Sequence, residues 1–149
     1  LALGPGEYAV FYTNTSAINR NFRLNRCTGF LNNFYAFTPA LPNQCPALFE
    51  RTEITTFSGA CQSYLLSLRS CADVKPNDRN RFAGENDGGC LAIMDRFNFG
   101  YCYNQFRNQP NFFSREWRVW LNVRPDFDRQ HDRILLFDGA GKLVDEYVY

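Results

Sequence analysis

The first apolar run of the chain lies near its N-terminus and has the composition of a β-strand. Tyr8–Tyr12 is aromatic and apolar, and it follows the turn sequence Gly4-Pro5-Gly6. Aromatic residues bounded by Gly and Pro are typical of a strand. Residues 14–57 then show no sustained period, which favours short strands joined by loops, with residues 30–37 as the best candidate strand.

The pattern becomes helical after Ser58, which has the residue type of a helix N-cap. Cys61, Leu65 and Leu68 follow at helical spacing, so one face of a helix is apolar. We expect this helix to end near Cys71.

A polar stretch and two more short helices are predicted next. Residues 75–89 hold a proline, several Asn and Asp residues and a Gly pair, which is typical of a loop. Asp87 is a candidate cap for a second helix, and Asn98 is a candidate cap for a third helix that carries Tyr101 and Cys102.

The last third of the chain returns to a period of two. Apolar residues alternate with other residues from Trp117 to Leu121, which indicates a strand. Residues 134–137 form a short apolar run, residues 138–142 have the composition of a turn, and residues 143–149 provide a second strand. These features predict a closing β-hairpin.

The order of elements divides the chain into β, helical and β parts. A length of 149 residues suits a single domain, 1–149, with its own core. Residues 1–44 are the N-terminal β part, residues 45–112 a cysteine-rich helical insertion, and residues 113–149 the C-terminal strands.

The six cysteines predict three disulfides and therefore an oxidising compartment. A zinc site would require closely spaced pairs of ligands, which this spacing lacks. The cysteines are Cys27, Cys45, Cys61, Cys71, Cys90 and Cys102.

Helix geometry restricts how these cysteines pair. Cys61 and Cys71 are ten residues apart, which is about 15 Å along one helix, whereas a disulfide requires Cα atoms within about 7 Å. We therefore expect each to pair elsewhere, with Cys90, Cys102 or Cys45, which would link the helices to one another.

Composition and charge exclude several classes of partner. A net charge of +1, from 16 basic and 15 acidic residues, gives no basic surface for nucleic acid. No run of about 20 apolar residues predicts membrane insertion. Leu1 begins no secretory signal, so we expect a mature or excised chain. No cofactor is expected.

The two ends of the chain carry a pattern found in a known superfamily. Residues 131–145 read HDRILLFDGAGKLVD and are followed by Tyr147 and Tyr149. Residues 3–11 read LGPGEYAVF, and the cysteine-bearing middle separates the two ends. In these features the chain resembles the lamin tail domain superfamily, in the form found in secreted bacterial proteins with a cysteine-rich insertion.

The resemblance implies a mainly β fold. It implies an immunoglobulin-like β-sandwich with a disulfide-stapled short-helix insertion, α+β overall, and an interaction role without catalytic residues. The strands that normally come first in the family are missing here, so an open sheet edge is expected.

The acidic residues near His131 invite a catalytic or calcium-binding interpretation. His131 adjoins Asp132, but adjacent strand residues point to opposite faces and no nucleophile motif accompanies them. Asp126, Asp128 and Asp132 are weak calcium candidates, because arginines interrupt the cluster. We therefore expect a structural histidine, no enzyme activity and no metal.

Aromatic residues and arginines near the start of the C-terminal part are the candidate ligand-binding residues. Rings and guanidinium groups together stack on rigid glycan or peptide ligands. Burial in the core is the competing explanation. The candidates are Trp117, Trp120, Tyr101, Tyr103, Arg115 and Arg118.

Together these observations predict an extracellular or cell-surface structural or adhesion module. Its partners would be proteins or glycans. The prediction also includes assembly with further copies of the chain through sheet edges, for example as a filament. The alternative is a hydrolase or an accessory domain of a secreted hydrolase.

Overall fold

Short strands flank a block of short helices in a computed structural model, which describes residues 3–83, 88–123 and 131–148. The strands of the described chain are β1 (Tyr8–Tyr12), β2 (Phe22–Asn25), β3 (Phe113–Trp120), β4 (Arg133–Phe137) and β5 (Leu143–Val148). The α-helices are α1 (Gly59–Ser67), α2 (Pro76–Ala83), α3 (Gly88–Met94) and α4 (Phe99–Phe106), and 3₁₀ helices cover Thr28–Asn33 and Arg51–Ile54.

The strands form two separate sheets. In the first, β3 lies between β1 and β2, parallel to β1 and antiparallel to β2. Tyr8 pairs with Glu116, so this sheet joins residues more than a hundred positions apart. The second sheet is the hairpin β4–β5, closed by the turn that the sequence predicts.

The prediction of a mainly β, immunoglobulin-like β-sandwich is wrong. The fold is mixed α+β, because the described strands form only a three-stranded sheet and a two-stranded hairpin. A sandwich needs the apolar faces of two sheets to meet. Here most of the buried apolar residues lie on the helices and on the segments between them, and they build a helical core instead of a second sheet layer.

The main core lies inside the helical block. Its buried residues come from the 3₁₀ helices, from α1 to α4 and from the segments between them, and they include every cysteine except the half-buried Cys45. The largest fully buried side chains are Phe30, Phe82, Phe112 and Leu65. A smaller cluster of Leu24, Phe37, Leu41 and Trp120 packs between the first sheet and the loop that follows the first 3₁₀ helix.

The prediction of three disulfides is confirmed. The bonds join Cys27 to Cys102, Cys45 to Cys71 and Cys61 to Cys90. Cys61 and Cys71 do not pair with each other, as expected, although α1 ends at Ser67 and the two cysteines do not share one helix. The Cys61–Cys90 bond links α1 to α3. Three disulfides are consistent with an oxidising compartment. Within the described ranges, no helix combines the length and the apolar sequence that crossing a membrane requires.

Two local predictions are wrong for identifiable reasons. Residues 30–37 are not a strand, because a 3₁₀ helix begins at Thr28, whose hydroxyl donates to the carbonyl of Asn25 at 2.7 Å. Residues 75–89 are not all loop, because α2 begins at Pro76. Proline suits the first position of a helix, and α2 is held by one fully buried side chain, Phe82.

The predicted caps on α1 and α4 are confirmed. The Ser58 hydroxyl accepts from the Cys61 backbone N–H at 3.2 Å, and the Asn98 side chain accepts from the Tyr101 N–H at 2.8 Å. These bonds satisfy N–H groups that the first turn of a helix leaves free. The predicted cap Asp87 lies outside the described residues.

Candidate functional site

The six candidate ligand-binding residues do not meet on one surface. Four belong to β3 and two to α4. Side chains of opposite parity on a strand point to opposite faces, so β3 divides its four residues between the two sides of the sheet. The set comprises Trp117, Arg115, Trp120, Arg118, Tyr101 and Tyr103.

Trp120 and Arg118 lie on the covered face of the sheet. Trp120 is buried, and its ring centre is 5.4 Å from that of Phe22. The buried Arg118 donates to the Pro39 carbonyl at 2.8 Å and pairs with Glu116 at 3.0 Å. A guanidinium with these fixed partners holds the neighbouring loop against the sheet.

On the opposite face, Trp117 belongs to a polar cluster around Glu7. The indole N–H donates to the Glu7 carboxylate at 2.9 Å, and Arg23 lies 2.5 Å from the same carboxylate. The Gly4 backbone N–H also donates to it, at 3.0 Å. These interactions lower the pKa of Glu7, and the hydrogen bond from the Gly4 backbone makes the largest contribution. Arg115 is exposed nearby.

Tyr101 and Tyr103 are half-buried against the helical core. The Arg96 guanidinium lies 5.9 Å from the Tyr101 ring centre, and the rings of Phe99 and Phe112 pack against Tyr103. A ligand-binding role for the aromatic set stays a prediction.

The histidine and acidic candidates lie at the entry to the hairpin. His131 is exposed, and Asp132 accepts from the Arg133 backbone N–H at 3.3 Å. Asp126 and Asp128 lie outside the described residues. Among the residues that are described, no three His, Cys, Asp or Glu side chains gather as a metal site would require. The structural role of His131 stays a prediction.

Exposed large apolar side chains concentrate in the hairpin β4–β5. None of its strand residues is buried, and only Leu135 is half-buried. Exposed apolar surface of this kind marks interaction sites. The exposed apolar residues are Ile134, Leu136, Phe137, Leu143, Val144, Tyr147 and Val148.

Both faces of the hairpin carry apolar side chains. Ile134 pairs with Tyr147 across the strands, so these two share one face. Arg133 pairs with Val148 on the other face. Continuous apolar sequence is typical of a strand that is buried on both faces. The strand β4 has such a sequence, but none of its residues is buried.

The hairpin is nevertheless well formed at its turn. The Asp138 carboxylate accepts from the backbone N–H groups of Ala140 and Lys142, each at 2.9 Å. Gly141 has a φ of 79°, in the left-handed region that glycine adopts without strain. The strand β4 is therefore exposed even though the turn that joins it to β5 is fully hydrogen-bonded.

Comparison with known proteins adds no family. Neither a protein-family model, nor a curated protein, nor a solved structure matches this chain. The hairpin therefore has to be interpreted from its own residues.

Sequence reasoning located the hairpin but not its exposure. The run Ile134–Phe137 of β4 is uninterrupted apolar sequence, as a buried strand would also be, whereas β5 contains Asp145 and Glu146. Charged residues on an edge strand discourage pairing with another chain. After Arg133 at its start β4 has no charged residue, whereas β5 has two acidic residues, and this contrast in the sequence distinguishes the two edges of the hairpin.

Proposed function

We propose that the protein is an extracellular structural module that assembles with a second copy of itself through the β4 edge of its hairpin. The observation that carries this proposal is the apolar run Ile134–Phe137 in the strand β4, which has no charged residue and in which Ile134, Leu136 and Phe137 are exposed. Apolar sequence of this type is normally covered, and a partner strand would cover it.

The two edges of the hairpin favour pairing at β4. Each strand of the hairpin has one hydrogen-bonded neighbour in the described chain, so each presents backbone groups along its other side. An open edge is a template for strand addition unless charges oppose it. Asp145 and Glu146 oppose it on β5, whereas β4 has a charge only at its first residue, Arg133.

A second copy of the chain fits the β4 edge. Two β4 strands that pair antiparallel about Leu135 place Ile134 opposite Leu136 of the partner copy, so apolar side chains meet. The same pairing between two β5 strands, centred on Asp145 or on Glu146, would place that carboxylate opposite its own copy. Like charges directly opposite each other destabilise a strand pair, which makes β5 the less favourable edge.

The disulfides support the extracellular part of the proposal. Three bonds among six cysteines persist in an oxidising environment and are uncommon in reducing ones. A cross-linked helical block is a stable support for a hairpin that contributes little burial of its own.

Light scattering over a concentration series tests the assembly. We expect the wild-type chain to associate as concentration rises, and Leu136→Lys to remain monomeric, because lysine on an edge strand opposes pairing. Leu136 is half exposed, and it pairs with Asp145 across the hairpin, so the introduced charge suits the folded monomer. Circular dichroism would check that the fold is retained.

Val144→Lys is the matched control, because it adds the same charge to an exposed position of β5. We expect this variant to associate as the wild type does. A wild-type chain that stays monomeric at all concentrations would contradict the proposal, as would association that Val144→Lys abolishes and Leu136→Lys leaves intact.

A further inference from the structure

A cavity of about 370 Å³ opens in the helical block, apart from the hairpin. Its walls are the segment from Cys45 to Arg51 and the end of α1, and Phe30, Leu65 and Phe97 contribute apolar side chains from the core. The volume lies within the range of small-molecule sites in proteins, about 300–1,000 Å³.

The charges around the cavity have one sign. Arg51 and Arg69 line it, and no acidic residue does. Both arginines are exposed, and in the ranges that the structure describes neither makes an ion pair. By contrast Arg96, which contacts the same segment, is already bound to Glu53 and to the Leu48 carbonyl. Two guanidinium groups at an apolar cavity therefore have their hydrogen-bonding capacity available to an anion.

One apolar side chain stands out at the cavity. Leu65 is fully buried, but its neighbour Leu66 is half exposed while lining the cavity. Exposed leucine beside exposed arginine matches a ligand that is apolar along its length and anionic at one end.

The cavity wall is held in place before any ligand binds. The Ser70 hydroxyl accepts from the Cys45 N–H at 2.8 Å and lies 3.1 Å from the Cys45 carbonyl, to which it donates. The Cys45–Cys71 disulfide ties the same two segments together. A rigid wall reduces the conformational entropy that binding would otherwise remove.

From these observations we infer that the cavity binds a small amphipathic carboxylate. The apolar body lies against Leu66 and the core side chains, and the carboxylate accepts hydrogen bonds from Arg51 and Arg69. This site is independent of the hairpin and does not rest on the assembly proposed above.

Calorimetric titration of the disulfide-bonded chain tests the inference with two probes that share an apolar tail. Decanoate is expected to bind at least about tenfold more tightly than decanol, because it alone forms charge-assisted hydrogen bonds. A third titration with 4-phenylbutanoate shows whether the cavity prefers an aromatic body, and the inference requires that one of the two carboxylates binds.

Variants locate the site. The double variant Arg51→Gln/Arg69→Gln should abolish the preference for decanoate over decanol, while the exposed Arg107→Gln on the end of α4 should leave it unchanged. Ala47 lines the cavity from an exposed position, so Ala47→Phe is expected to reduce its volume and to weaken binding of both probes.

Three results would overturn the inference. They are no binding of either carboxylate at millimolar concentration, binding of decanoate with the same affinity as decanol, and binding of a carboxylate that Ala47→Phe leaves intact while circular dichroism shows a native fold.

Discussion

The helical block and the hairpin of this protein differ in nearly every physical property. The block contains all three disulfides and a core of buried aromatic, aliphatic and cysteine side chains. The hairpin has no disulfide and no buried strand residue, although its two strands carry seven large apolar side chains, all of them exposed, besides the half-buried Leu135. Hydrophobic sequence alone therefore does not determine which part of a small protein is buried.

The difference indicates a division of roles. Covalent links and burial in the block determine the free energy of unfolding, since burial contributes about 25 cal/mol per Å² and each disulfide several kcal/mol. The hairpin contributes little to that free energy in the isolated chain. Its apolar residues are instead available to a partner. Four predictions test this separation.

Removal of the Cys27–Cys102 bond should have the largest effect. The bond links residues 75 positions apart, so its loss through Cys27→Ser with Cys102→Ser should lower the free energy of unfolding by about 4 kcal/mol. Urea unfolding followed by circular dichroism measures this change. The Cys45–Cys71 bond closes 26 positions and is the matched comparison, with an expected loss about 1 kcal/mol smaller. An unchanged midpoint in either variant would contradict the role of the block.

Gly29→Ala should have the second largest effect. A Cβ at Gly29 would contact the Cys71 sulfur and lie 2.7 Å from the Pro42 carbonyl, both of which are fixed. Overpacking of this kind lowers the free energy of unfolding by about 2 kcal/mol. Gly59→Ala is the control, because its Cβ meets nothing within 4 Å at the start of α1. It should raise stability by about 0.5 kcal/mol, and equal behaviour of the two variants would refute the packing argument.

Local signals explain how much of this fold could be predicted. Ser58 and Asn98 accept hydrogen bonds within three residues of themselves, so their sequence neighbourhood contains the whole interaction. The closing hairpin is likewise local, with a turn held by Asp138. The helix α2 was missed because it has a single buried anchor, Phe82, and therefore no apolar period.

Long-range pairing explains what could not be predicted. Tyr8 pairs with Glu116, and nothing in either segment indicates that the strands are neighbours or parallel. For the candidate site, the alternation from Trp117 to Leu121 predicted a strand, but not that a loop covers Trp120. The exposure of the hairpin depends on the absence of a covering layer in the described chain, which no property of the run Ile134–Phe137 reveals.

The acid dependence of stability provides a smaller test within the block. The Glu53 carboxylate accepts one hydrogen bond from the Glu50 backbone N–H and one from Arg96, each at 2.7 Å. These bonds, of which the one from Glu50 has the larger effect, lower the pKa of Glu53 below 4.5. The folded state therefore favours the charged form, so this stabilisation is present above pH 4.5 and is lost as pH falls through the lowered pKa. Urea unfolding from pH 7 to pH 3 should show a shallower decline for Glu53→Gln. Parallel curves for the variant and the wild type would show that Glu53 does not contribute to the loss of stability in acid.

The smallest effect is expected in the hairpin. Val144→Ala and Tyr147→Ala remove large apolar side chains that are about 60% exposed, so the folded monomer loses little burial. Surface substitutions of this type change the free energy of unfolding by at most about 0.5 kcal/mol. Urea unfolding should be measured at a concentration where light scattering shows a monomer, because association would add stability of its own. Leu65→Ala in α1 is the reference, since a fully buried leucine costs about 2–5 kcal/mol when truncated. A loss in the hairpin comparable to that of Leu65→Ala would mean that the strands are covered within one chain, and the separation between a stabilising block and an interacting hairpin would fail.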